Sequence, residues 1–458
     1  MVIFRFLLIT TCFLAATASS AEKSVAIEWN LVNKSLGITA QETTLMRVLG
    51  ELRRQTGWDV LVEPGLNPPV SIRIKPKPAP QTLRLLLGKL RYTLKSEPGQ
   101  PFRLSVYQKS EKAATEPVVG TPGASKRLEG QIVVGVKSEA DAKRLAQQFG
   151  ADLIGFIKAA NAARFKFDSE RELQRIRDAL AKAEGVEYVD DIIIYPRPAR
   201  PTQVQPRAGV VPIRIRPVEV DTKGQFIIGL VDTAVQPKGL DQPGFILETQ
   251  SVGEPHEPGE GSPTHGTAMA SVILRGLSNQ DLNVQTSPVR ILPVDVFGPR
   301  STTTSFDVAQ GITLAVEGGA KIVNLSLGGY SPSTLVQKVI QVHHDNGVIF
   351  VAAAGNEPVT TNTYPASYSQ VLAVTATKPN GELTRYANRG NFVDVAERGT
   401  QPARYLNRLF ASGGTSSATA YISGVAAALA TQHQKKPVQI RETIIKNRPF
   451  VPPKKEEK

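Results

Sequence analysis

Four short stretches of this chain carry side chains that could do acyl-transfer chemistry. Gly229-Leu230-Val231-Asp232-Thr233 ends an apolar run on a carboxylate. Thr264-His265-Gly266-Thr267-Ala268-Met269-Ala270 puts an imidazole just before, or at the start of, an apolar helix. Gly413-Gly414-Thr415-Ser416-Ser417-Ala418 heads a helical run that continues to Gln432, and Val351-Ala352-Ala353-Ala354-Gly355-Asn356-Glu357 ends an apolar run on an amide. The types are complementary. A serine hydroxyl is a poor nucleophile until a neutral imidazole takes its proton. The imidazole needs a buried carboxylate to hold its tautomer and stabilise the imidazolium. The developing oxyanion needs fixed donors, here the Ser416 backbone N–H at a helix N-terminus and the Asn356 side chain.

Each stretch alone has a plainer reading. A strand-end aspartate usually caps a turn, His-Gly usually makes one, Gly-Thr-Ser-Ser is an ordinary helix N-cap, and Ala-Ala-Gly-Asn can simply end a strand. Together, in the order Asp, His, Ser and each at an element end, they read as one set: Asp232, His265, Ser416 and Asn356. That order, without a G-x-S-x-G pentapeptide, sets the chain apart from α/β-hydrolases. The elements must then bring together residues 33 and 151 positions apart. Apolar runs at 226–231, 289–294, 322–327, 348–354 and 371–375 are interspersed with helical patterns near 305–317, 333–346 and 415–432. Continuous apolar runs suit a parallel sheet covered on both faces, so 221–446 is predicted to be a doubly wound α/β domain. Reactions gather at the carboxyl edge of such sheets, where all four stretches can meet.

On these residues the block resembles a subtilisin-like serine protease (a subtilase of peptidase family S8). The resemblance implies a triad of Asp232, His265 and Ser416, with Asn356 as oxyanion donor. Within Asn324-Leu325-Ser326-Leu327-Gly328-Gly329, it implies that Ser326, Leu327 and Gly328 pair with substrate backbone. Ala353-Ala354-Gly355 looks like the facing wall of the S1 pocket. Tyr364-Pro365-Ala366-Ser367-Tyr368, Asn388-Arg389-Gly390 and Val393-Asp394-Val395-Ala396 fall where the family carries similar strings. Three departures stand out. Ala234 replaces the usual glycine after Asp-Thr, Ala270-Ser271 stands for Ala-Gly, and Ser417-Ala418-Thr419-Ala420-Tyr421 lacks the usual proline.

Upstream lies a series of smaller pieces. Residues 1–21 hold one basic residue, Arg5, an apolar run over 6–16 and small residues to Ala21, the pattern of a secretory signal peptide. Residues 26–108 read as a small α/β module, whose helix repeats Leu45, Val48, Leu49 and Leu52 at i, i+3, i+4, i+7. Its pattern resembles the periplasmic module at the N-termini of secretins and TonB-dependent receptors. Residues 128–195 read β-α-β-β-α-β, the order of a ferredoxin-like α+β fold, with a capping box predicted at Ser169 and Glu172. Gly185-Val186-Glu187-Tyr188-Val189 looks like the end of the inhibitory propeptide of subtilisin-like proteases. Residues 196–220, rich in Pro and Arg, read as an extended, solvated linker, and 447–458 as a charged tail.

Composition narrows the function. The 458 residues are about three times a typical domain. With 41% apolar and 21% charged residues the chain can bury a core, which excludes a collagen and a wholly disordered protein. The net charge is +13, yet 221–446 holds 17 acidic and 17 basic residues, against 22 and 33 in 1–220. The excess lies away from the candidate chemistry, which argues against a nucleic-acid enzyme. The single cysteine, Cys12, lies in the signal-like run. His343-His344 is expected on a helix surface, without metal partners. No cofactor or catalytic metal is expected; structural calcium is left open. The expected function is a periplasmic or extracellular serine endopeptidase acting on polypeptides, made as a precursor inhibited by its own propeptide in cis. The alternative is a catalytically weak peptide-binding protein that meets an envelope partner through 26–108. A third reading, polyanion binding by the basic N-terminal half, predicts steep salt dependence.

Overall fold

The computed structural model describes residues 25–30, 34–56, 58–63, 66, 68–95, 102–113, 116–117, 126–205, 213–222, 224–278 and 285–451. The signal-like residues, Gly57 (the expected end of the first helix), part of the Pro/Arg linker and the end of the tail lie outside them. The chain divides into two compact units, residues 1–121 and 122–458.

In the first unit, strands Val25–Asn30, Ser35–Thr44 and Pro69–Pro78 form an antiparallel sheet. A second sheet orders Arg91–Lys95, Arg103–Tyr107, Asp59–Val62 and Glu116–Pro117, with 59–62 and 103–107 parallel. The helix Leu45–Thr56 buries Leu45, Val48, Leu49 and Leu52 in one core with Trp58, Val60 and Leu104. Those four residues are the apolar stripe that its 3.6-residue period creates.

The second unit opens with β1 (Arg127–Val136), α1 (Glu139–Phe149), β2 (Asp152–Ile157), β3 (Ala162–Lys166), α2 (Glu170–Ala181) and β4 (Val186–Pro196). These strands form an antiparallel sheet in the order β4-β1-β3-β2. Both helices begin on a serine whose hydroxyl accepts an N–H three residues on: Ser138 from Asp141 at 3.1 Å and Ser169 from Glu172 at 3.2 Å. Strand alternation splits the burial. Ile132, Val134, Ala163 and Phe165 pack with Leu145, Leu173 and Leu180 in a core of their own, while Val133, Ile192, Ile193 and Tyr195 join the core of the larger α/β domain.

That domain is built from β5 (Thr202–Gln203), β6 (Phe226–Asp232), β7 (Gln250–Ser251), α3 (His265–Leu277), β8 (Val289–Asp295), β9 (Thr302–Thr304), α4 (Ser305–Glu317) and β10 (Ala320–Leu325), then α5 (Thr334–Asp345), β11 (Ile349–Ala353), β12 (Val371–Thr377), β13 (Val395–Arg398), β14 (Gln401–Tyr405), β15 (Arg408–Ser412), α6 (Thr415–Gln432) and α7 (Pro437–Asn447). Seven parallel strands lie in the order β7-β8-β6-β10-β11-β12-β13. Helices α4 and α5 cover one face; α3 and α6 cover the other. The strand order reverses beside β6, which opens a crevice at its carboxyl end.

Helices α3 and α6 touch through glycine. A Cβ on Gly424 would lie 2.0 Å from the Ile273 carbonyl oxygen. The two histidines of α5 part company: His343 is buried and burial holds its pKa down, whereas His344 is exposed. The expectation that both lie on the surface is therefore corrected for His343, which α5 turns toward the core.

Candidate active site

Asp232 closes β6 and is wholly buried. His265 opens α3, where the N-cap Thr264 holds it: the Thr264 hydroxyl accepts from Thr267 N–H at 3.0 Å and donates to the Ala234 carbonyl at 2.6 Å. His265 Nδ1 lies 2.9 and 2.8 Å from the two Asp232 carboxylate oxygens. Acceptors on that side place the ring proton on Nδ1 and leave Nε2 as the base.

Helix α6 starts at Gly414, at φ 101°, which has no side chain of its own to cap it. A Cβ there would press to 2.9 Å from Asn356 Nδ2. Ser416 lies in that open first turn, 7% exposed, where helix N–H groups have no intrahelical partner. Asn356 Oδ1 accepts from Thr415 N–H at 2.8 Å and Thr415 Oγ1 at 3.1 Å. That leaves its amide Nδ2 available as a donor. Ser416 Oγ donates to the Ser326 carbonyl at 3.2 Å. Asp232 is thus joined to His265, and Ser416 to Ser326 directly and to Asn356 through Thr415. The Ser416 hydroxyl is turned to Ser326 rather than hydrogen-bonded to the imidazole.

Ser326 and Leu327 are buried and Gly328 is partly exposed, just past β10. Gly329 exchanges two backbone hydrogen bonds with Tyr364, at 2.9 and 2.7 Å, which backs this strip. Across the site Ala353 and Ala354 are buried, and Gly355 N–H donates to Thr415 Oγ1 at 3.1 Å, tying that wall to the serine helix. The hydroxyls among the departures from the family pattern each find a hydrogen-bond partner. Ser271 Oγ accepts from Arg404 N–H at 3.3 Å, Ser417 Oγ donates to Ser412 at 2.8 Å, and Thr419 Oγ1 donates to the Thr415 carbonyl at 2.8 Å. Among the described residues, no group of three or more His, Cys, Asp or Glu could hold a metal ion.

The first part of the Pro/Arg stretch is not the solvated spacer its composition suggests. Ile194, Tyr195 and Pro196 pair antiparallel with Thr304, Thr303 and Thr302 of β9, and Arg197 N–H continues the ladder to the Ser301 carbonyl at 2.9 Å. Further on, Thr202 and Gln203 pair with Ala411 and Phe410 of β15, the strand that leads into Ser416. Five more contacts hold the small β-α-β-β-α-β piece against α4 and α5. Asp190 Oδ2 accepts from Ser333 Oγ at 3.0 Å and Leu335 N–H at 3.2 Å. Arg164 meets Asp307 at 3.3 Å, Lys338 meets Glu187 at 2.9 Å, and Ile193 N–H donates to Ser305 Oγ at 3.0 Å. The β-branched run Thr302-Thr303-Thr304 was the one local sign of an edge strand here.

A buried carboxylate–imidazole pair at the carboxyl edge of a doubly wound sheet, beside a serine in the first turn of a helix, belongs to the serine-hydrolase class. Residues 223–456 match the Subtilase family and residues 113–190 match the fervidolysin N-terminal prodomain. The chain is 35% identical over 208 residues to thermitase of Thermoactinomyces vulgaris, covering 45% of this chain and 75% of thermitase. It is 31% identical over 221 residues to a thermophilic serine proteinase of Bacillus sp. strain AK1, covering 47% of this chain and 55% of that protein. The crystal structure of fervidolysin from Fervidobacterium pennivorans shares the fold, with a TM-score of 0.55 at 19% identity over 71% of this chain and 58% of that one. The chain belongs to the subtilase family, as a serine-type endopeptidase made with an N-terminal prodomain.

Proposed function

We propose that Asp232, His265 and Ser416 form the triad of an exported endopeptidase, and that residues 128–195 and the strand they feed into the cleft hold it inactive. The observation that carries this reading is the 2.8 Å contact between His265 Nδ1 and the wholly buried Asp232. Ser416 Oγ rotates from the Ser326 carbonyl to His265 Nε2, which takes its proton as Oγ attacks the peptide carbonyl. Ser416 N–H and Asn356 Nδ2 receive the oxyanion. The imidazolium gives the proton to the leaving amine, and a water deprotonated by the same ring releases the acyl group. The pairing of 194–197 with 301–304, and of 202–203 with 410–411, supports self-inhibition, since a chain lying there denies the cleft to substrate. The signal-like pattern of residues 1–21 supports export. Among the described residues, no helix is long and apolar enough to cross a membrane.

Fluorophosphonate labelling tests the proposal. Once the 196–220 stretch has been cut, wild type takes up label and Ser416→Ala does not; an unlabelled, cut wild type would count heavily against the triad. A second reading is favoured by the Ser416 hydroxyl facing Ser326: a catalytically weak protein that holds peptides in this cleft while residues 26–108 meet an envelope partner. Peptide binding without turnover, unchanged in Ser416→Ala, would favour it.

A further inference from the structure

Arg197 is the first residue past β4, and its side chain fills a site built for it. Nε donates to the Arg300 carbonyl at 2.8 Å and Nη2 donates to the Gly298 carbonyl. The guanidinium carbon stands 5.2 Å over the centre of the Phe297 ring. Two carbonyls that accept from different nitrogens of one guanidinium and an aromatic ring beside it match an arginine and not a lysine, because the fork of donors and the delocalised charge are both used.

The site is held in shape by groups other than Arg197. Asp295 Oδ1 accepts from Phe297 N–H at 2.9 Å and Gly298 N–H at 3.0 Å. Arg300 donates to the Phe297 and Val296 carbonyls, both at 3.1 Å, and to Asp307 at 3.0 Å. Asp295 is 1% exposed, and its other oxygen, Oδ2, is buried with no hydrogen-bond partner. Asp295 also sits opposite Asp232 in the β6–β8 ladder. Burial lowers the pKa of Arg197, the charges of Asp295 and Asp232 oppose that lowering, and the neighbouring cations Arg200 and Arg300 add to it.

Resting on the endopeptidase reading, we propose that Phe297, the Gly298 and Arg300 carbonyls and Asp295 form a guanidinium subsite, so that this cleft takes polypeptides with an arginine on the N-terminal side of the bond that is cut. The direction follows from the chain itself. Arg197 is paired to Ser301, and Thr202, five residues further along the chain, is paired to Ala411 on the strand that leads into Ser416. Arg197 is therefore the cis occupant of a site that substrate arginine uses once this strand has left.

Two measurements decide the matter. In the first, the full chain is allowed to process, and quenched peptides carry Arg, Lys, citrulline or Ala at each of the three positions before the cleaved bond. Citrulline keeps the shape of arginine and removes the charge. Arginine at one position raises kcat/KM at least about tenfold over citrulline, as loss of a charged hydrogen-bonded group does. Phe297→Leu, which keeps apolar volume without the ring face, shrinks that preference. Equal rates for arginine and citrulline at all three positions overturn the subsite. The second needs no turnover and leaves the strand in place: in a full chain carrying Ser416→Ala and Arg197→Ala the backbone stays paired and only the guanidinium site is emptied, and this chain is titrated with ethylguanidinium and with uncharged ethylurea while its melting temperature is read. A rise with ethylguanidinium that ethylurea does not give, and that the Ser416→Ala chain retaining Arg197 does not show, supports the subsite; equal effects, or none by either compound, overturn it. A chain that never labels with fluorophosphonate fails as an endopeptidase, and this titration still decides the subsite.

Discussion

Ser326 and Ser416 hold each other by two hydrogen bonds: Ser416 Oγ donates to the Ser326 carbonyl and Ser326 Oγ donates to the Ser416 carbonyl, both at 3.2 Å. The hydroxyl proposed to attack substrate is thus parked on the strip proposed to pair with substrate backbone. An arriving peptide N–H would compete for that same carbonyl, and losing the competition frees Ser416 to turn to His265.

Asp232→Asn should leave the fold intact and reverse the tautomer of His265, because an amide N–H would face Nδ1. The expected loss in kcat is about 10⁴-fold, the size established for the equivalent change in the chymotrypsin-like triad. Steady-state rates on a peptide ester, with circular dichroism to verify folding, check it; a loss below tenfold would remove Asp232 from the triad.

Asn356→Ala should cost about 10²–10³ in kcat with KM little changed, the magnitude measured for the corresponding donor in subtilisin, a member of this family. It also strips Thr415 N–H and Oγ1 of their acceptor. A small drop in melting temperature should therefore accompany the kinetic loss, and a drop in temperature alone would reduce Asn356 to a structural role.

Gly424→Ala places a methyl against the backbone of Ile273 and Leu277, which cannot yield as a side chain would. Overpacking of this kind costs about 1–3 kcal/mol. It should also spread α3 from α6, the helices that begin at His265 and with Ser416 in its first turn, and a displacement of about 1 Å costs about 10²-fold in rate. Calorimetry and kinetics together test it; unchanged values of both would show that the helices do not set the triad spacing.

Burial pushes the Asp190 carboxyl above its ordinary 3.8, against the opposing hydrogen bonds from Leu335 N–H and Ser333 Oγ. A raised pKa means the docked form holds the proton more tightly. Its contribution to docking is complete below the ordinary value and is lost as pH rises through the raised one. Urea midpoints of the full chain between about pH 3.5 and 6.5 should fall with rising pH more steeply in wild type than in Asp190→Asn. Parallel slopes would dismiss the carboxyl as the cause.

Much of the site is written locally, and that part was legible. A nucleophile in the first turn of a helix needs glycine before it, as at Gly413-Gly414; a carboxylate at a buried strand end follows an apolar run, as at Asp232; and the helix behind His265 has its threonine cap beside it. The helical period of 45–52 likewise named its buried face. Strands without a continuous apolar run left no such mark. Val25–Asn30 and Ser35–Thr44 ahead of that helix, and β13 to β15 ahead of Ser416, went unread because each interleaves polar residues with apolar ones.

By itself, then, the sequence determined which side chains could react, at which element ends they stand, and that the strands carrying them form a parallel buried sheet, because hydrogen-bond capping and apolar period are short-range. The tertiary structure alone decided that residues 194–197 pair with 301–304 and 202–203 with 410–411, that His343 faces inward, and that Ser416 rests on Ser326. A β-ladder is made by backbone groups common to all residues, so no pattern names its distant partner. The direction of a hydroxyl is one staggered rotation among wells of similar energy, chosen by whatever acceptor the packed neighbours supply.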